Sequence, residues 1–153
     1  MKLSSKGRYG VRAVFDIAFH DDGKATQIKD IAERQAIPAR FLEQIFQDLK
    51  RAGIVTSKRG PRGGYQLARE PKQLTLGDVV RALEGPIDLA SPETGEPADP
   101  GDPTSLQVTE QAFRELGERI EAVFDGMSIG ELVERGEALG IRRRQAGQNV
   151  YVI

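Results

Sequence analysis

Residues 28–67 read IKDIAERQAIPARFLEQIFQDLKRAGIVTSKRGPRGGYQL. The first part holds two segments whose apolar residues recur at helical spacing, and the short turn Ala36-Ile-Pro38 separates them. Two β-rich segments follow, and the loop Arg59–Gly64 between them has three glycines and a proline, as in the tip of a hairpin. Two helices followed by a hairpin with a basic tip are the plan of a winged helix-turn-helix.

The composition is ordinary for a protein that buries one core. Charged residues make up 29% of the 153 residues and apolar residues 39%. No apolar run approaches the roughly 20 residues that span a membrane, and the first residues lack the apolar stretch of a secretory signal. We therefore expect a cytoplasmic protein. The sequence has no cysteine, which excludes disulfides and thiolate-held zinc or iron–sulfur sites.

Charge is divided unevenly along the chain, although the net charge is only −1. Residues 1–65 carry 13 Lys and Arg against 7 Asp and Glu, a balance of +6, whereas residues 66–153 carry 9 against 16, a balance of −7. A basic half joined to an acidic half fits a phosphate-binding face attached to a region that stays off the polyanion.

Caps and apolar spacing predict a mainly α fold with a small β-hairpin wing and a long dimerisation helix. The expected helices cover about 5–19, 28–35, 38–52, 76–84, 109–125 and 129–137, and the expected strands cover 54–58 and 65–67. Their expected caps are Ser4 or Ser5, Thr26, Thr75 and Ser128, and Pro38 suits the first position of the third helix.

The stretch 86–105 contains five prolines, five acidic residues and no Lys or Arg, which predicts a linker or mobile loop. We therefore divide the chain into four parts. They are a winged helix-turn-helix DNA-binding domain at 1–85, a Pro-rich acidic linker or effector loop at 86–105, a dimerisation helix with a short following helix at 106–137, and a tail at 138–153 that ends in the strand-like run 149–153.

The predicted long helix carries an apolar seam with the spacing of a heptad repeat. Such a seam is typical of a helix that packs lengthwise on another helix. We expect it to form the dimer interface, through Phe113, Leu116, Ile120, Val123 and Met127.

The third helix has a polar face that suits base reading. Opposite its apolar stripe it offers Ala39, Arg40, Glu43, Gln44 and Gln47. In a major groove, Arg40 could bond to guanine, Gln44 to adenine and Glu43 to the amino group of cytosine. The alternative is a solvated helix face, but the turn before this helix and the basic hairpin after it favour DNA reading.

Two further segments are predicted to touch DNA. In the wing, arginine fits a narrow minor groove and glycine lets the backbone approach phosphates. The predicted DNA contacts of the wing are therefore Arg59, Gly60, Arg62, Gly63, Gly64 and Tyr65. At the start of the first helix, basic and polar side chains suggest phosphate contacts aided by the helix dipole, through Ser5, Lys6, Arg8, Tyr9 and Arg12. An exposed hairpin and an ordinary basic surface are the alternative interpretations.

Several motifs in this order closely resemble the Rrf2 family of winged-helix transcription regulators (IscR/NsrR/CymR-like). They are Met1-Lys-Leu-Ser-Ser-Lys-Gly-Arg-Tyr-Gly10, Ile31-Ala-Glu-Arg-Gln35, Phe41-Leu-Glu-Gln44, Arg59-Gly-Pro-Arg-Gly-Gly-Tyr65, Leu76-Gly-Asp-Val-Val80 and Ser128-Ile-Gly-Glu-Leu132. The resemblance covers about residues 1–137. It implies a homodimer joined through the long helix, an operator of approximate two-fold symmetry, the third helix in the major groove and Arg59 in the minor groove.

One departure from the family pattern concerns the cofactor. Many members hold an iron–sulfur cluster through three cysteines in the loop before the dimer helix, often with a histidine nearby. Here that loop is 91–105 without a cysteine, and Glu110 stands where the resemblance would place the histidine. We therefore expect a member without cluster ligands, cofactor or metal site.

The leading hypothesis is a dimeric, sequence-specific DNA-binding regulator, a repressor or dual regulator. The alternative is a sensor whose DNA binding depends on a small effector or a docked metabolic enzyme. An enzyme is disfavoured because the sequence has no nucleophile–His–acid set, phosphate-cradling loop or metal motif.

Overall fold

The computed structural model describes residues 2–92, 95 and 101–143. It confirms a mainly helical fold with one hairpin. In chain order the elements are α1 (Ser5–Phe19), α2 (Ile28–Gln35), α3 (Ala39–Arg51), β1 (Val55–Lys58), β2 (Gly64–Leu67), a 3-10 helix (Pro71–Gln73), α4 (Leu76–Glu84), α5 (Pro103–Asp125) and α6 (Ile129–Ala138). The predicted strand-like run 149–153 lies outside the described residues. Within the described part of the chain, no helix has the length and apolar character needed to cross a bilayer.

The core sits between α1 and the elements packed around it, namely α2, α3, α4 and α6. The apolar stripe expected on α3 is fully buried, and it meets apolar side chains from every neighbouring helix. Burial of such side chains is the main favourable contribution to folding, at about 1.5–3 kcal/mol for each one. The largest of the fully buried side chains include Phe19, Ile31, Leu42, Phe46, Leu49, Val79 and Ile129.

Two glycines let α1 lie close to the end of α4. A side chain on Gly10 would meet Leu83 Cδ1 at 2.0 Å, and one on Gly7 would meet Glu84 Oε1 at 2.3 Å. The close approach brings the Glu84 carboxylate to the start of α1. There Glu84 Oε1 accepts hydrogen bonds from the backbone N–H of Ser4 at 3.0 Å and of Gly7 at 3.2 Å, and from the Ser4 hydroxyl.

A buried ion pair fixes α2 on α1. The Asp16 side chain has no exposed surface, although it carries a carboxylate. Arg34 donates to both of its oxygens, with Nη2 at 2.7 Å from Oδ2, and Gln35 donates to Oδ1 at 2.9 Å. Because burial of an unpaired carboxylate is strongly unfavourable, this network ties the position of α2 to that of α1.

The start of α5 corrects the sequence prediction. The helix begins at Pro103 rather than at Thr109, so the expected boundary between residues 105 and 106 falls inside it. Asp102 caps it, since Asp102 Oδ2 accepts from the Ser105 N–H at 2.8 Å, and Pro103 occupies the first turn, where no backbone donor is needed.

Two predicted caps also differ from the structure. Thr26 does not cap α2, because its N–H and C=O both pair with Tyr65 at 2.8 Å and Gln27 takes the cap position without a side-chain bond. Pro38 is the cap of α3 rather than its first helical residue. The predicted caps of α4 and α6 are confirmed, and Thr75 and Ser128 each form a reciprocal capping box with an acidic residue three positions later.

Residues of the expected linker pack on α5. Glu121 accepts from the Ile87 N–H at 2.9 Å, and a side chain on Gly117 would approach Ile87 O to 3.1 Å. Arg81 of α4 donates to both oxygens of Asp125, at 2.7 and 3.1 Å. These contacts connect the N-terminal domain to α5 at defined points.

Candidate nucleic-acid interface

The polar face of α3 is exposed along its length. All five residues expected to read bases, Ala39, Arg40, Glu43, Gln44 and Gln47, lie in solvent, while Leu42, Ile45, Phe46 and Leu49 are buried. The left-handed Ala36, with φ of 51°, turns the chain between α2 and α3. The helix therefore presents a polar surface that a major groove can accept.

An aromatic and cationic cluster borders the start of α3, and Phe41 is the member that sequence reasoning did not identify as a site residue. Phe41 is 47% exposed, and Arg40 lies over its ring at 5.1 Å from the centroid. Tyr9 of α1 meets the same ring edge-on at 6.4 Å, and Arg12 lies 5.6 Å from the centroid of Tyr9. The contacts place Tyr9 and Arg12, two of the residues predicted to touch DNA, beside the start of α3. In the sequence, the sign of this cluster was a phenylalanine directly after Arg40.

The N-terminus of α1 is only partly free for an anion. The Gly7 N–H is bound by the Ser4 hydroxyl at 3.1 Å and by Glu84. Lys6 pairs with Asp48 of α3 at 2.6 Å and holds the pKa of the Asp48 carboxyl below its usual value through this hydrogen bond. Ser5 and Arg8 are exposed. Ser5 and Arg8 are therefore more accessible to an anion than the Gly7 N–H or the Lys6 ammonium, and their contact with phosphate stays a prediction.

The wing carries two arginines at an exposed tip. Arg59, Gly60 and Arg62 all lie in solvent, and neither arginine has an ion-pair partner within the described part of the chain. The hairpin register sets Lys58 opposite Gly64 and so leaves residues 59–63 to form the turn. The tip thus presents unpaired positive charge.

The other predicted wing residues face inward and shape the hairpin. Tyr65 stacks on Phe46 of α3, with 4.5 Å between ring centroids. Gly63 is buried, and Gly64, with φ of 150°, lies so close to Thr26 that a side chain there would meet its carbonyl oxygen at 2.2 Å. Contact of Gly63, Gly64 and Tyr65 with DNA stays a prediction. In the structure Tyr65 and Gly64 hold the wing against α3 and Thr26, and Gly63 closes the turn at the tip through a hydrogen bond to Gly60 O at 2.9 Å.

The face of α5 expected to form the dimer interface is open in the single chain. Phe113 and Leu116 are each 48% exposed and Val123 is 75% exposed, while Ile120 and Met127 are half-buried. Gly117, Glu121 and Asp125, which contact the rest of the chain, lie on a neighbouring face of the same helix. The helix is therefore anchored on one face, and the described residues leave an apolar face of it uncovered.

The chain matches a family model over most of its length and is similar to curated transcription regulators. Residues 3–135 match the model described as "Rrf2: Iron-dependent Transcriptional regulator". The HTH-type transcriptional regulator IscR of Aliivibrio salmonicida is 39% identical over 145 residues, which cover 95% of this chain and 84% of that protein. IscR of Escherichia coli O1:K1 / APEC is 34% identical over 145 residues, with 95% and 88% covered.

Solved structures have the same architecture. The structure of T. potens IscR superposes with a TM-score of 0.71 at 35% identity and covers 94% of each chain. The structure of CymR, described as the global cysteine regulator of B. subtilis, gives a TM-score of 0.68 at 31% identity and covers 88% of this chain and 98% of that one. Both likenesses extend beyond the N-terminal domain.

The residues of this chain do not fit the iron group that the family description suggests. No cysteine occurs in the sequence, so no thiolate is available for an iron–sulfur cluster. Glu110, at the position expected for a ligand, pairs with Arg114 at 3.2 Å. Among the described residues, no group of three or more His, Cys, Asp or Glu side chains has a geometry that could hold a metal ion. By its motifs, fold and relatives, this cysteine-free chain belongs to the Rrf2 family and is a DNA-binding transcription regulator rather than an enzyme.

Proposed function

We propose that the chain acts in the cytoplasm as a homodimer that represses transcription by binding an operator of approximate two-fold symmetry. The observation that carries the proposal is the wing, which Tyr65 fastens against α3 and which carries Arg59 and Arg62, exposed and without an ion-pair partner among the described residues. A helix and a basic loop held in fixed relation can enter neighbouring grooves of one duplex.

In this arrangement α3 lies in the major groove and reads bases through Arg40, Glu43 and Gln44. Arg59 enters the adjacent minor groove, where the negative potential is strongest. Ser5 and Arg8 contact phosphates, which fix orientation but carry no sequence information.

The open face of α5 supports the dimer. Side chains as large as Phe113 and Leu116 rarely lie half-exposed together on one helix unless another surface covers them. A second copy of the same face would cover these side chains with two-fold symmetry. The α3 helix and wing of each protomer would then face one of two half-sites about one helical turn apart.

Selection of duplexes from a random pool with the full-length protein tests the proposal. We expect enrichment of a motif with two related half-sites. Failure to enrich any motif from a pool that yields one for a characterised regulator would contradict it.

A second candidate is regulation by a small effector, which a cavity of about 230 Å³ favours. Leu3, Val80, Ile87, Leu89 and Phe124 contribute apolar walls, and Glu84 also lines it. Since Glu84 binds the start of α1, an occupant of the cavity would act on a segment predicted to touch DNA.

Low-molecular-mass cell extract, added to the purified protein in a thermal unfolding assay, tests this candidate. An effector would raise the melting temperature of the wild-type protein but not that of Val80→Phe, which reduces the cavity. Equal responses of the two proteins would contradict an occupant at this position.

A further inference from the structure

A cleft of about 570 Å³ opens between the wing and the turn that joins α1 to α2. Among its lining residues are three cations, Lys24, Lys58 and Arg62, and one carboxylate, Asp30. All three cations are exposed, and none has an ion pair or side-chain hydrogen bond within the described residues. The cleft therefore concentrates positive charge that the fold itself does not neutralise.

Several cations elsewhere in the same domain are neutralised or engaged. Lys6 and Arg51 both bind Asp48, and Arg34 binds the buried Asp16. Lys50 donates to the Ser57 hydroxyl at 2.7 Å. Lys24, Lys58 and Arg62 differ from these four cations, because the described residues give them no such side-chain partner.

The walls of the cleft are held together by hydrogen bonds. Gln27 donates to Pro61 O at 3.3 Å, and Gln66 donates to Gly23 O at 3.3 Å. Between them Thr26 and Tyr65 exchange two backbone hydrogen bonds of 2.8 Å. Because these contacts fix the wing against the α1–α2 turn, Lys24 on one wall and Lys58 on the other are held across one gap before any ligand arrives.

We propose that this cleft binds the sugar-phosphate backbone of the operator, with Lys24 and Lys58 as phosphate ligands beside the minor groove that Arg59 enters. The proposal rests on the proposed function and extends it to a contact outside the predicted set. Phosphodiester oxygen is the acceptor that unpaired ammonium groups on an open, pre-formed surface suit best. Contacts of this kind add affinity without adding sequence preference.

The test compares Lys24→Ala/Lys58→Ala with the wild-type protein by fluorescence anisotropy, on a duplex selected with the full-length protein and on a scrambled duplex, across about 50 to 200 mM salt. Each phosphate contact contributes about 0.9 to the slope of log K against log salt, so the slope should fall by about 0.9 to 1.8 for each protomer. The ratio of affinities for the two duplexes should stay unchanged.

Lys72→Ala/Arg135→Ala is the matched control, since it removes two exposed cations that lie away from the cleft. Its slope should equal that of the wild type. If the cleft variant is folded by circular dichroism but keeps the wild-type slope, the cleft does not bind phosphate. That result would leave the proposed function unaffected. A wild-type protein that does not distinguish the two duplexes overturns the proposed function instead, and the slopes on the scrambled duplex still decide whether the cleft holds phosphate.

Discussion

The N-terminal domain and α5 leave opposite kinds of surface uncovered. Within residues 2–92, Phe41 is the large apolar side chain that remains exposed, whereas α5 exposes Val108, Phe113, Leu116 and Val123. The wing exposes Arg59 and Arg62, which have no ion-pair partner within the described part of the chain. The first surface suits a polyanion and the second suits another apolar helix. A single chain thus has two exposed surfaces of different chemistry, a basic one on the wing and an apolar one on α5.

The largest effect should come from a charge on the apolar face of α5. Leu116→Asp removes about 1.5–3 kcal/mol of burial from each protomer, and a two-fold interface meets the change twice, so the dimerisation constant should fall by about 100-fold or more. Light scattering at micromolar concentration should report a monomer. Val108→Asp changes an exposed valine of the same helix that is not part of the predicted seam, and this variant should remain a dimer. Dimerisation of both variants would show that the seam does not form the interface.

Loss of a wing arginine should weaken DNA binding but leave the α5 face intact. Arg59→Ala should reduce operator affinity by about 10- to 100-fold, corresponding to about 1–3 kcal/mol for an arginine in a groove. Anisotropy titration measures the affinity, and light scattering checks the dimer. Arg135→Ala on α6 is the control and should bind as the wild type does. An unchanged affinity for Arg59→Ala would remove the wing from the interface.

A smaller effect is expected inside the N-terminal domain, at Glu84, where α4 meets the start of α1. Glu84→Ala removes the carboxylate that accepts from Ser4 and Gly7, so stability should fall by about 1 kcal/mol in urea unfolding and operator affinity should fall several-fold. Glu84→Gln keeps a hydrogen-bond acceptor, so its stability and operator affinity should lie between those of the wild type and of Glu84→Ala. If Glu84→Ala bound DNA like the wild type, the position of the α1 start would not matter for reading.

The smallest effect is expected from pH at the joint between α4 and α5. The hydrogen bonds from Arg81 hold the pKa of Asp125 below its usual 3.8. A carboxyl whose pKa is lower in the folded state stabilises the fold above the unfolded pKa, and this contribution is lost as pH falls through the folded pKa. Because Asp125 is partly exposed, we expect less than about 1 kcal/mol.

Urea unfolding between pH 7 and pH 3 measures this contribution. Asp125→Asn should be less stable at neutral pH and should lose less stability on acidification than the wild type. Parallel curves for the two proteins would show that the Arg81 pair does not stabilise the joint.

Local signals in the sequence predicted most of the fold. The Thr75 and Ser128 caps, the stripe of α3 and the existence of a hairpin depend on residues close in the chain, and the structure has them. Its tip is one residue shorter than expected, because Gly64 pairs with Lys58. The start of α5 was missed although Asp102-Pro103 is a recognised cap, because five prolines in 86–105 indicated a linker.

Contacts between distant residues were not predictable in the same way. Glu84 and Ser4 are 80 residues apart, and nothing near either of them indicates the other. Asp16 is a charged residue among the apolar residues of α1, and nothing near it in the sequence indicates that Arg34 is its partner. Likewise, Lys24 and Lys58 meet across a cleft because the wing folds back on the α1–α2 turn. The sequence therefore identified the exposed face of α3 and the wing tip, but not the residues that position them.

Hydroxyl-radical footprinting of the full-length protein on its selected duplex tests the central claim most directly. If two copies present α3 and the wing from a shared α5 interface, both strands will be protected in two symmetric patches about one helical turn apart. A single patch, or uniform protection without a preferred position, would contradict a symmetric dimer that reads DNA through these two elements.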